Sequence, residues 1–329
     1  MIREVVLVSP RGHCAGVVRA IASVERALTT FGPPVFVRRA IVHNSHVVAR
    51  FAAAGAIFVK ELDEVPEGAV VVFSAHGVAP SVRERANEKH LRVVDATCPL
   101  VAKIHREVLR YRSEGRSVVL VGRSGHDEVI GTLGQAPSVR LVENASDVAG
   151  LRIANPQLVA CVTQTTLGPA DVEPIIDQLR ERFPALSQPA APDICYATRN
   201  RQAALAWLAD NVDVVLVIGD KASSNSQRLV EAARAKRGAG VSHREPGRPP
   251  GELADRGLRR GRHLRRVDTR RCRPGRRGVL PRSRGGRSGG EGARRGRHLC
   301  IAARGRRLTS GCPGFGESFR IIGLWRRAT

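Results

Sequence analysis

Short, fully apolar runs recur along the first 240 residues, and amphipathic stretches separate them. Six of these runs have the length of a buried strand, at residues 5–8, 69–73, 93–94, 118–121, 159–162 and 214–218. After the first run, apolar residues recur at helical spacing from Val17 to Leu28. Strands that are apolar on both faces and alternate with helices are typical of parallel sheets covered by helices. The pattern therefore predicts an α/β fold.

Three of the seven cysteines occupy the same local setting, a turn between a predicted strand and a predicted helix. Cys14 lies in Arg-Gly-His-Cys-Ala-Gly, Cys98 in Asp-Ala-Thr-Cys-Pro-Leu, and Cys195 in Asp-Ile-Cys-Tyr-Ala-Thr. Separations of 84 and 97 residues suggest three related α/β units, each offering one thiol. Because ligands gather at the carboxyl ends of parallel strands, these turns could face one central site.

Three thiolates, one from each unit, fit an iron–sulfur cluster that keeps one iron free of cysteine. Such an iron can act as a Lewis acid toward a substrate. A zinc site is the alternative, although structural zinc favours four ligands and closely spaced Cys-x-x-Cys pairs. A lone cysteine is more often a small apolar core residue, and we interpret Cys161, inside the run 159–162, in that way.

Histidines and hydroxyl residues in turns form a second group of candidates. His43 lies in Val-His-Asn, His76 in Ser-Ala-His-Gly and His126 in Ser-Gly-His-Asp-Glu. One such histidine is more often a surface or core residue, but three in matching positions favour a binding site. Imidazoles and hydroxyls supply cationic and neutral donors that suit a diphosphate.

Two further motifs extend this site. Ser223, Ser224 and Asn225 follow the run 214–218 at the start of a predicted helix, where they form an anion site or simply cap the helix. Glu128 comes two residues after His126 and is a candidate acid. Thr165 ends the run around Cys161 and offers a hydroxyl that could relay a proton.

The net charge of +24 is concentrated at the end of the chain. Residues 241–329 contain 25 arginines, no lysine and 6 acidic residues, whereas residues 1–240 contain 29 basic and 24 acidic residues. A nucleic-acid-binding tail is the alternative interpretation, but such tails interleave aromatic residues for base stacking. Here the aromatic residues are confined to Phe315, Phe319 and Trp325. We therefore consider nucleic acid an unfavoured partner and interpret 241–329 as an Arg/Gly-rich tail that is disordered or frameshifted.

Apolar segments of membrane-spanning length do not occur in the sequence. The longest runs have strand length, well below the roughly 20 residues that a bilayer requires. Since the first residues lead directly into a predicted strand, we expect no signal peptide and no membrane association. A cytoplasmic, reducing compartment follows, in which cysteines serve metals or chemistry more often than disulfides.

Seven segments together resemble one enzyme family. They are Arg-Gly-His-Cys-Ala-Gly at 11–16, Val-His-Asn at 42–44, Phe-Ser-Ala-His-Gly-Val at 73–78, Asp-Ala-Thr-Cys-Pro-Leu-Val at 95–101, Thr-Gln-Thr-Thr-Leu at 163–167, Asp-Ile-Cys-Tyr-Ala-Thr at 193–198 and Ser-Ser-Asn-Ser at 223–226. The segments resemble those of the 4-hydroxy-3-methylbut-2-enyl diphosphate reductases, the LytB-type iron–sulfur reductases. The resemblance covers residues 1 to about 238.

This resemblance implies a trefoil of three α/β units around a central [4Fe–4S] cluster, one per chain. Residues 1–13 would add an N-terminal strand to the third unit, 14–97 would form the first unit, 98–193 the second, and 194–240 a partial third. The implied reaction is reductive dehydroxylation of the substrate to isopentenyl and dimethylallyl diphosphates, the last step of the non-mevalonate isoprenoid pathway. Ferredoxin or flavodoxin would supply the electrons.

The resemblance also implies a role for each candidate residue. Cys14, Cys98 and Cys195 would ligate the cluster, one iron of which no cysteine binds. The diphosphate would be held by His43, His76, His126, Ser223, Ser224 and Asn225. Glu128 would deliver protons, and Thr165 would lie next to the substrate hydroxyl.

The sequence departs from the family at several positions. His13 stands where the family usually has Phe, Arg123 where it often has His, and Ala222 where it often has Asn. After residue 240 we find no counterpart of the family's Gly-Ala-Ser segment, whose serine completes the diphosphate clamp. The third unit is therefore predicted to be incomplete, with an unpaired sheet edge. An inactive or impaired family member is the corresponding alternative.

Overall fold

Three separate sheets form the framework of the protein. The structure, a computed structural model, describes residues 4–212, 214–237, 241–244, 264–266 and 320–325. Within these residues, twelve strands and eight α-helices alternate along most of the chain. The predicted α/β fold with parallel sheets is confirmed.

The first sheet is parallel and has four strands in the order β3-β2-β4-β5. Its strands are β2 (Val35–Arg38), β3 (Ala56–Val59), β4 (Val70–Phe73) and β5 (Arg92–Asp95). Its helices are α1 (Ala15–Phe31), α2 (Ser45–Ala53) and α3 (Pro80–Glu88). Every residue of β2 and β4 is buried, as expected of central strands covered on both faces. Ala20 and Val24 of α1 pack into the core that includes Val35 and Val72.

The second sheet is also parallel and has the order β7-β6-β8. Its strands are β6 (Ser117–Val121), β7 (Arg140–Val142) and β8 (Val159–Thr163). Its helices are α4 (Pro99–Ser113), α5 (Asp127–Leu133) and α6 (Pro169–Arg182). Ile104 and Val108 of α4 pack against Val118 and Val162, and this contact buries the helix face that follows Cys98.

The third sheet is mixed and combines both ends of the chain in the order β10-β9-β12-β1-β11. Its strands are β1 (Glu4–Leu7), β9 (Val214–Ile218), β10 (Val241–Arg244), β11 (Leu264–Arg266) and β12 (Arg320–Trp325). Its helices are α7 (Tyr196–Asn211) and α8 (Ser224–Arg237). Strand β12 runs antiparallel to both β9 and β1, so the N-terminal strand shares a sheet with β9.

The expectation of an unpaired edge beyond β9 is wrong. Strands β10, β11 and β12 all come from the Arg/Gly-rich part of the chain, and β12 fills the space between β9 and β1. Its sequence Arg-Ile-Ile-Gly-Leu-Trp is one isolated strand-length apolar run, which the surrounding composition conceals. The predicted disorder or frameshift of the remaining tail falls on residues outside those described and stays a prediction, as do the predicted unit boundaries.

None of the described helices is sufficiently long and apolar to span a bilayer. The polar residues predicted for the functional site lie in loops at the carboxyl ends of the strands. The cysteines illustrate this arrangement, since the residues directly preceding α1, α4 and α7 are Cys14, Cys98 and Cys195.

Removal of residues 320–329 is expected to destabilise the third sheet, because β9 and β1 would each lose a paired neighbour. We expect a lower midpoint of thermal unfolding and faster proteolysis within α7 and α8. Circular dichroism and limited proteolysis would measure both effects. A chain lacking only residues 326–329, which lie beyond β12, is the matched control. Equal midpoints for the two truncated chains would contradict the role assigned to β12.

Candidate active site

The three predicted cysteines cap three helices that belong to three different sheets. Cys14 Sγ accepts a hydrogen bond from Val17 N at 3.5 Å, and Cys195 Sγ accepts one from Ala197 N at 3.4 Å. N–H groups and the helix dipole at these ends favour a thiolate. Each cysteine is a free thiol and is partly buried.

The thiols influence one another's ionisation. Burial is the main cause that raises the pKa of Cys98 and of Cys195, and nearby N–H groups oppose it. The charge of Cys14 raises the pKa of both further, and Cys195 has the same effect on Cys98. Three thiolates held this close to one another favour a cationic centre that would neutralise them.

Close approach of α1 to the other thiols requires a glycine at position 16. A Cβ atom on Gly16 would lie 2.8 Å from Cys98 Sγ and 3.8 Å from Cys14 Sγ. The position therefore accommodates no side chain without moving a thiol. Gly16 gives the three cysteines a common space.

The spacing of the sulfurs argues against a single metal ion. Two sulfurs bound to one tetrahedral zinc lie about 3.8 Å apart, given Zn–S bonds of about 2.3 Å. Among the described residues, the one group that brings three ligand atoms within 4.8 Å of one another is His43, His76 and Asp127. The three cysteines do not form such a compact group, which fits a multi-iron cluster better than a single zinc ion.

One cavity of about 160 Å³ connects the thiols with every other residue predicted for the site. Its lining includes Cys14, Cys98, Cys195, His43, His76, His126, Glu128, Thr165, Ser223, Ser224 and Asn225. Residues separated by more than 200 positions therefore meet at the junction of the three sheets. The structure brings all the predicted residues together and leaves none outside.

The three histidines form a compact group on one side of the cavity. The ring centroids of His43 and His76 are 4.2 Å apart, and His126 lies 5.2 Å from His43 and 5.6 Å from His76. Burial lowers the pKa of His43, lowers that of His126 to about 4, and lowers that of His76 well below its usual range. The rings are therefore neutral near pH 7 in the absence of an anion, whereas the sequence suggested a contribution from imidazolium.

Neutral rings still offer donors to an anion. His126 Nδ1 accepts a hydrogen bond from Glu128 N at 3.2 Å, so the proton of the neutral ring lies on Nε2. His43 Nε2 is buried without a hydrogen-bond partner. Buried polar atoms normally have a hydrogen-bond partner. The lack of one at His43 Nε2 therefore indicates a ligand with acceptor atoms.

The start of α8 supplies the opposite group of donors. Ser224 Oγ lies 2.9 Å from Thr166 Oγ1, and Ser223 Oγ accepts from Ser226 N at 3.4 Å. Ser223 therefore also caps the helix, the simpler role that its sequence position allowed. Asn225 Oδ1 accepts from Arg201 at 3.5 Å, which leaves its amide N–H groups available to an anion.

Glu128 is completely enclosed and forms a close pair with Thr165. Thr165 N donates to Glu128 Oε1 at 2.7 Å, and the Thr165 hydroxyl donates to Oε2 at 2.9 Å. Burial raises the pKa of Glu128 to about 7, although the two hydrogen bonds from Thr165 oppose this shift. Its carboxyl group can therefore hold or release a proton near neutral pH.

Several charged residues around the cavity were not identified from the sequence. Lys103 Nζ donates to Asp193 Oδ1 at 2.8 Å, and Thr163 N donates to Asp193 Oδ2 at 3.0 Å. Arg201 donates to Gly12 O at 2.6 Å and is buried near Cys14 and Cys195. Asp193 directly precedes the Cys195 turn, which could have identified it, whereas the context of Lys103 and Arg201 offers no signal.

The three departures from the family pattern differ in position. His13 lines the cavity next to Cys14, and burial lowers its pKa. Arg123 and Ala222 are exposed. Of the three, only His13 contacts the space shared by the predicted residues.

The fold and cavity define an α/β protein in which three thiols share one cavity with histidine, serine and asparagine side chains. Residues 5–243 match the model of the LytB protein family. The chain belongs to this family.

Curated relatives agree with this assignment over the same part of the chain. The 4-hydroxy-3-methylbut-2-enyl diphosphate reductase of Acidothermus cellulolyticus is 52% identical over 232 residues, which are 70% of this chain and 68% of that protein. The reductase of the same name from Azoarcus sp. is 55% identical over 234 residues, 71% of this chain and 75% of that protein. The reductase of Mycolicibacterium paratuberculosis is 51% identical over 242 residues, 73% of each chain.

Solved structures give the same result. The E-1-hydroxy-2-methyl-but-2-enyl-4-diphosphate reductase of Plasmodium falciparum superposes with a TM-score of 0.69 at 38% identity, covering 74% of this chain and 76% of that chain. A structure of (E)-4-hydroxy-3-methyl-but-2-enyl diphosphate reductase, described as the terminal enzyme of the non-mevalonate pathway, has a TM-score of 0.56 at 31% identity. It covers 78% of this chain and 90% of that one. The matches favour the reductase hypothesis over nucleic-acid binding.

Glu128 makes a testable contribution to the pH dependence of stability. Its pKa rises from 4.5 to about 7 on folding, so the folded chain binds this proton more tightly than the unfolded chain. The stabilisation is complete below pH 4.5 and is lost as the pH rises toward and beyond 7. Glu128→Gln mimics the protonated form, so its stability relative to the wild type should increase by up to about 3 kcal/mol between pH 4.5 and 8.

Urea unfolding of the cluster-free chain at several pH values would measure this difference. Glu173→Gln on α6 is the matched control, because it removes one carboxylate from an exposed position. A flat difference for Glu128→Gln would contradict the raised pKa.

Proposed function

We propose that the chain is a 4-hydroxy-3-methylbut-2-enyl diphosphate reductase that removes the allylic hydroxyl of its substrate by reduction. The observation that carries this proposal is the single cavity in which three thiols meet three histidines and a buried acid. The family membership and the names of the relatives supply the substrate class. The products would be isopentenyl and dimethylallyl diphosphates.

Cys14, Cys98 and Cys195 would hold one [4Fe–4S] cluster. Among the described residues, no fourth cysteine lines the cavity, which fits a cluster in which one iron is not bound by cysteine. When bound, such a cluster supplies single electrons and a Lewis-acidic iron for the hydroxyl group. Arg201, buried beside two of the thiols, would balance part of the negative charge of the thiolates.

The diphosphate would bind between the histidines and the start of α8. His126 Nε2 and the unpaired His43 Nε2 can donate to its oxygens from one side. Ser223, Ser224 and Asn225 can donate from the other side, at the amino end of a helix of 14 residues. His76 completes the first group.

Glu128 and Thr165 would deliver protons. Loss of the hydroxyl as water and formation of the new C–H bond together consume two electrons and two protons. A carboxyl group with a pKa of about 7 carries a proton in a large fraction of molecules at neutral pH. Through the 2.9 Å contact with the Thr165 hydroxyl, this proton can reach the cavity.

Further properties belong to the same proposal. The electrons would come one at a time from ferredoxin or flavodoxin, and the enzyme would act in the cytoplasm. Residues 14–97, 98–193 and 194–240 would form the three units, with residues 1–13 completing the third. Each of the three units contains one of the three cysteines, and residues 1–13 directly precede Cys14.

The cluster assignment predicts that Cys98→Ser abolishes the brown colour and sharply lowers the iron content of anaerobically purified protein. Cys161→Ala is the matched control, because this buried thiol lies in β8, outside the cavity, and burial raises its pKa to about 12. Iron and sulfide analysis with visible absorption would measure both variants. A folded wild-type protein that is colourless and contains zinc would contradict the assignment.

The proton-delivery role predicts that Glu128→Gln loses turnover while keeping its cluster. We expect kcat to fall at least a hundredfold, since general acid catalysis typically contributes about 10²–10⁴ in rate. Substrate-dependent oxidation of a reduced dye would measure turnover, and the visible spectrum would verify the cluster. Unchanged turnover in a cluster-containing variant would exclude Glu128 as the proton donor.

A further inference from the structure

A carboxylate lies against one histidine of the pocket proposed for the diphosphate, and a negative charge there is unfavourable for an anion site. Asp127 lies between His126 and Glu128 in the chain, and its Oδ2 is 3.9 Å from His76 Nδ1. It also belongs to the group with His43 and His76 in which three ligand atoms lie within 4.8 Å of one another. An uncompensated negative charge at this position would repel a diphosphate.

Arg39 provides the compensating charge. Its Nη1 donates to Asp127 Oδ1, and its Nη2 donates to Glu61 Oε1 at 2.9 Å. The side chains of Arg39 and Asp127 are only 24% and 18% exposed. Because the pair is partly withdrawn from water, its interaction is stronger than that of an open surface pair. Glu61 is also bound by Arg38, so Asp127 depends on Arg39 more than Glu61 does.

The backbone fixes Arg39 in an unusual conformation. Its φ angle is 58°, in the left-handed region that residues with a Cβ atom rarely adopt. Arg39 N donates to Val59 O at 2.7 Å, which anchors the residue just beyond the end of β2. Such strain persists where the surrounding contacts determine the conformation. Here the Arg39 guanidinium contacts Asp127, 88 positions away in the chain.

The two partners lie in the protein walls that carry the histidines, and neither is among the residues that line the pocket itself. Arg39 follows β2 of the first sheet, near His43 and His76, whereas Asp127 begins α5 next to His126 and the second sheet. The ion pair thus spans the junction that the three imidazoles share. It cancels the charge of Asp127.

We propose that Arg39 is a positioning residue of the anion pocket, whose guanidinium neutralises Asp127 beside His43, His76 and His126. This inference deepens the proposed function and rests on it. A purely structural bridge is the alternative, and the two roles differ in the effect expected from removing the Asp127 charge. That difference makes the charge role testable.

The test measures the affinity of inorganic diphosphate for the full chain, reconstituted anaerobically with iron and sulfide, by calorimetry. Arg39→Gln should weaken binding about tenfold or more, because Asp127 then faces the anion without its partner. The double variant Arg39→Gln with Asp127→Asn should return to within about threefold of the wild type, since the repelling charge is gone. Asp127→Asn alone should bind equally well or more tightly, and Arg39→Lys should stay close to the wild type.

A merely structural bridge predicts a different pattern. In that case Asp127→Asn would weaken binding as much as Arg39→Gln, and the double variant would show no recovery. Either result would overturn the charge role. If Arg39→Gln fails to fold, the affinities of Asp127→Asn and Arg39→Lys for diphosphate still distinguish the two roles. Arg85→Gln is the matched control, because Arg85 forms a 2.6 Å bridge to Asp63 outside the cavity.

Failure of this inference differs from failure of the proposed function. If the wild type binds diphosphate and Arg39→Gln binds it equally well, only the role of Arg39 is excluded. If the wild type does not bind diphosphate at all, the anion pocket is excluded and the inference with it.

Discussion

Mutual repulsion among three buried thiolates is the constraint on which the arrangement of the site depends. Burial and the neighbouring thiolates both oppose the ionisation of Cys98 and Cys195, so the free site is unfavourable for its own charged form. Helix N-termini, the N–H groups at each cap and the buried Arg201 offset this only in part. A cationic centre would relieve the remaining repulsion, and for this reason metal binding and folding of the junction should be coupled.

Because the thiols come from three sheets, the contacts that join the sheets determine the geometry of the site. Lys103 and Asp193 tie α4, which begins after Cys98, to the turn that carries Cys195. The Asp193 side chain is only 2% exposed, so breaking this pair would leave an uncompensated buried charge. Asp193 also helps to raise the pKa of Glu128, so one buried ion pair affects both the Cys195 turn and the acid.

Much of this could be predicted from the sequence, because local signals coincide with the elements that build the site. Apolar runs predicted β1, β4, β5, β6, β8 and β9, and turn residues beside each cysteine predicted the helix N-termini. Strands β2, β3 and β7 were not singled out, although Pro34 and Gly55 directly precede β2 and β3 as turn signals. The pairs Arg39–Asp127 and Lys103–Asp193 were also missed. Their partners lie 88 and 90 residues apart, and no periodicity connects residues that meet only through tertiary packing.

At the end of the chain, the sequence analysis also failed to predict a strand that belongs to the fold. Composition dominated by Arg and Gly indicated that nothing after residue 240 would join the fold, yet six residues, Arg320–Trp325, lie between β9 and β1. A short apolar run can become a central strand when the strands on both sides offer it a free edge. A composition average over 89 residues cannot reveal such a run. Strand β9 leads directly into the loop that carries Ser223 and Ser224, and β1 leads into the loop that carries Cys14. Strand β12 therefore connects the Cys14 side of the cavity to its Ser223 side, and the geometry between them depends on the part of the sequence with the weakest local signal.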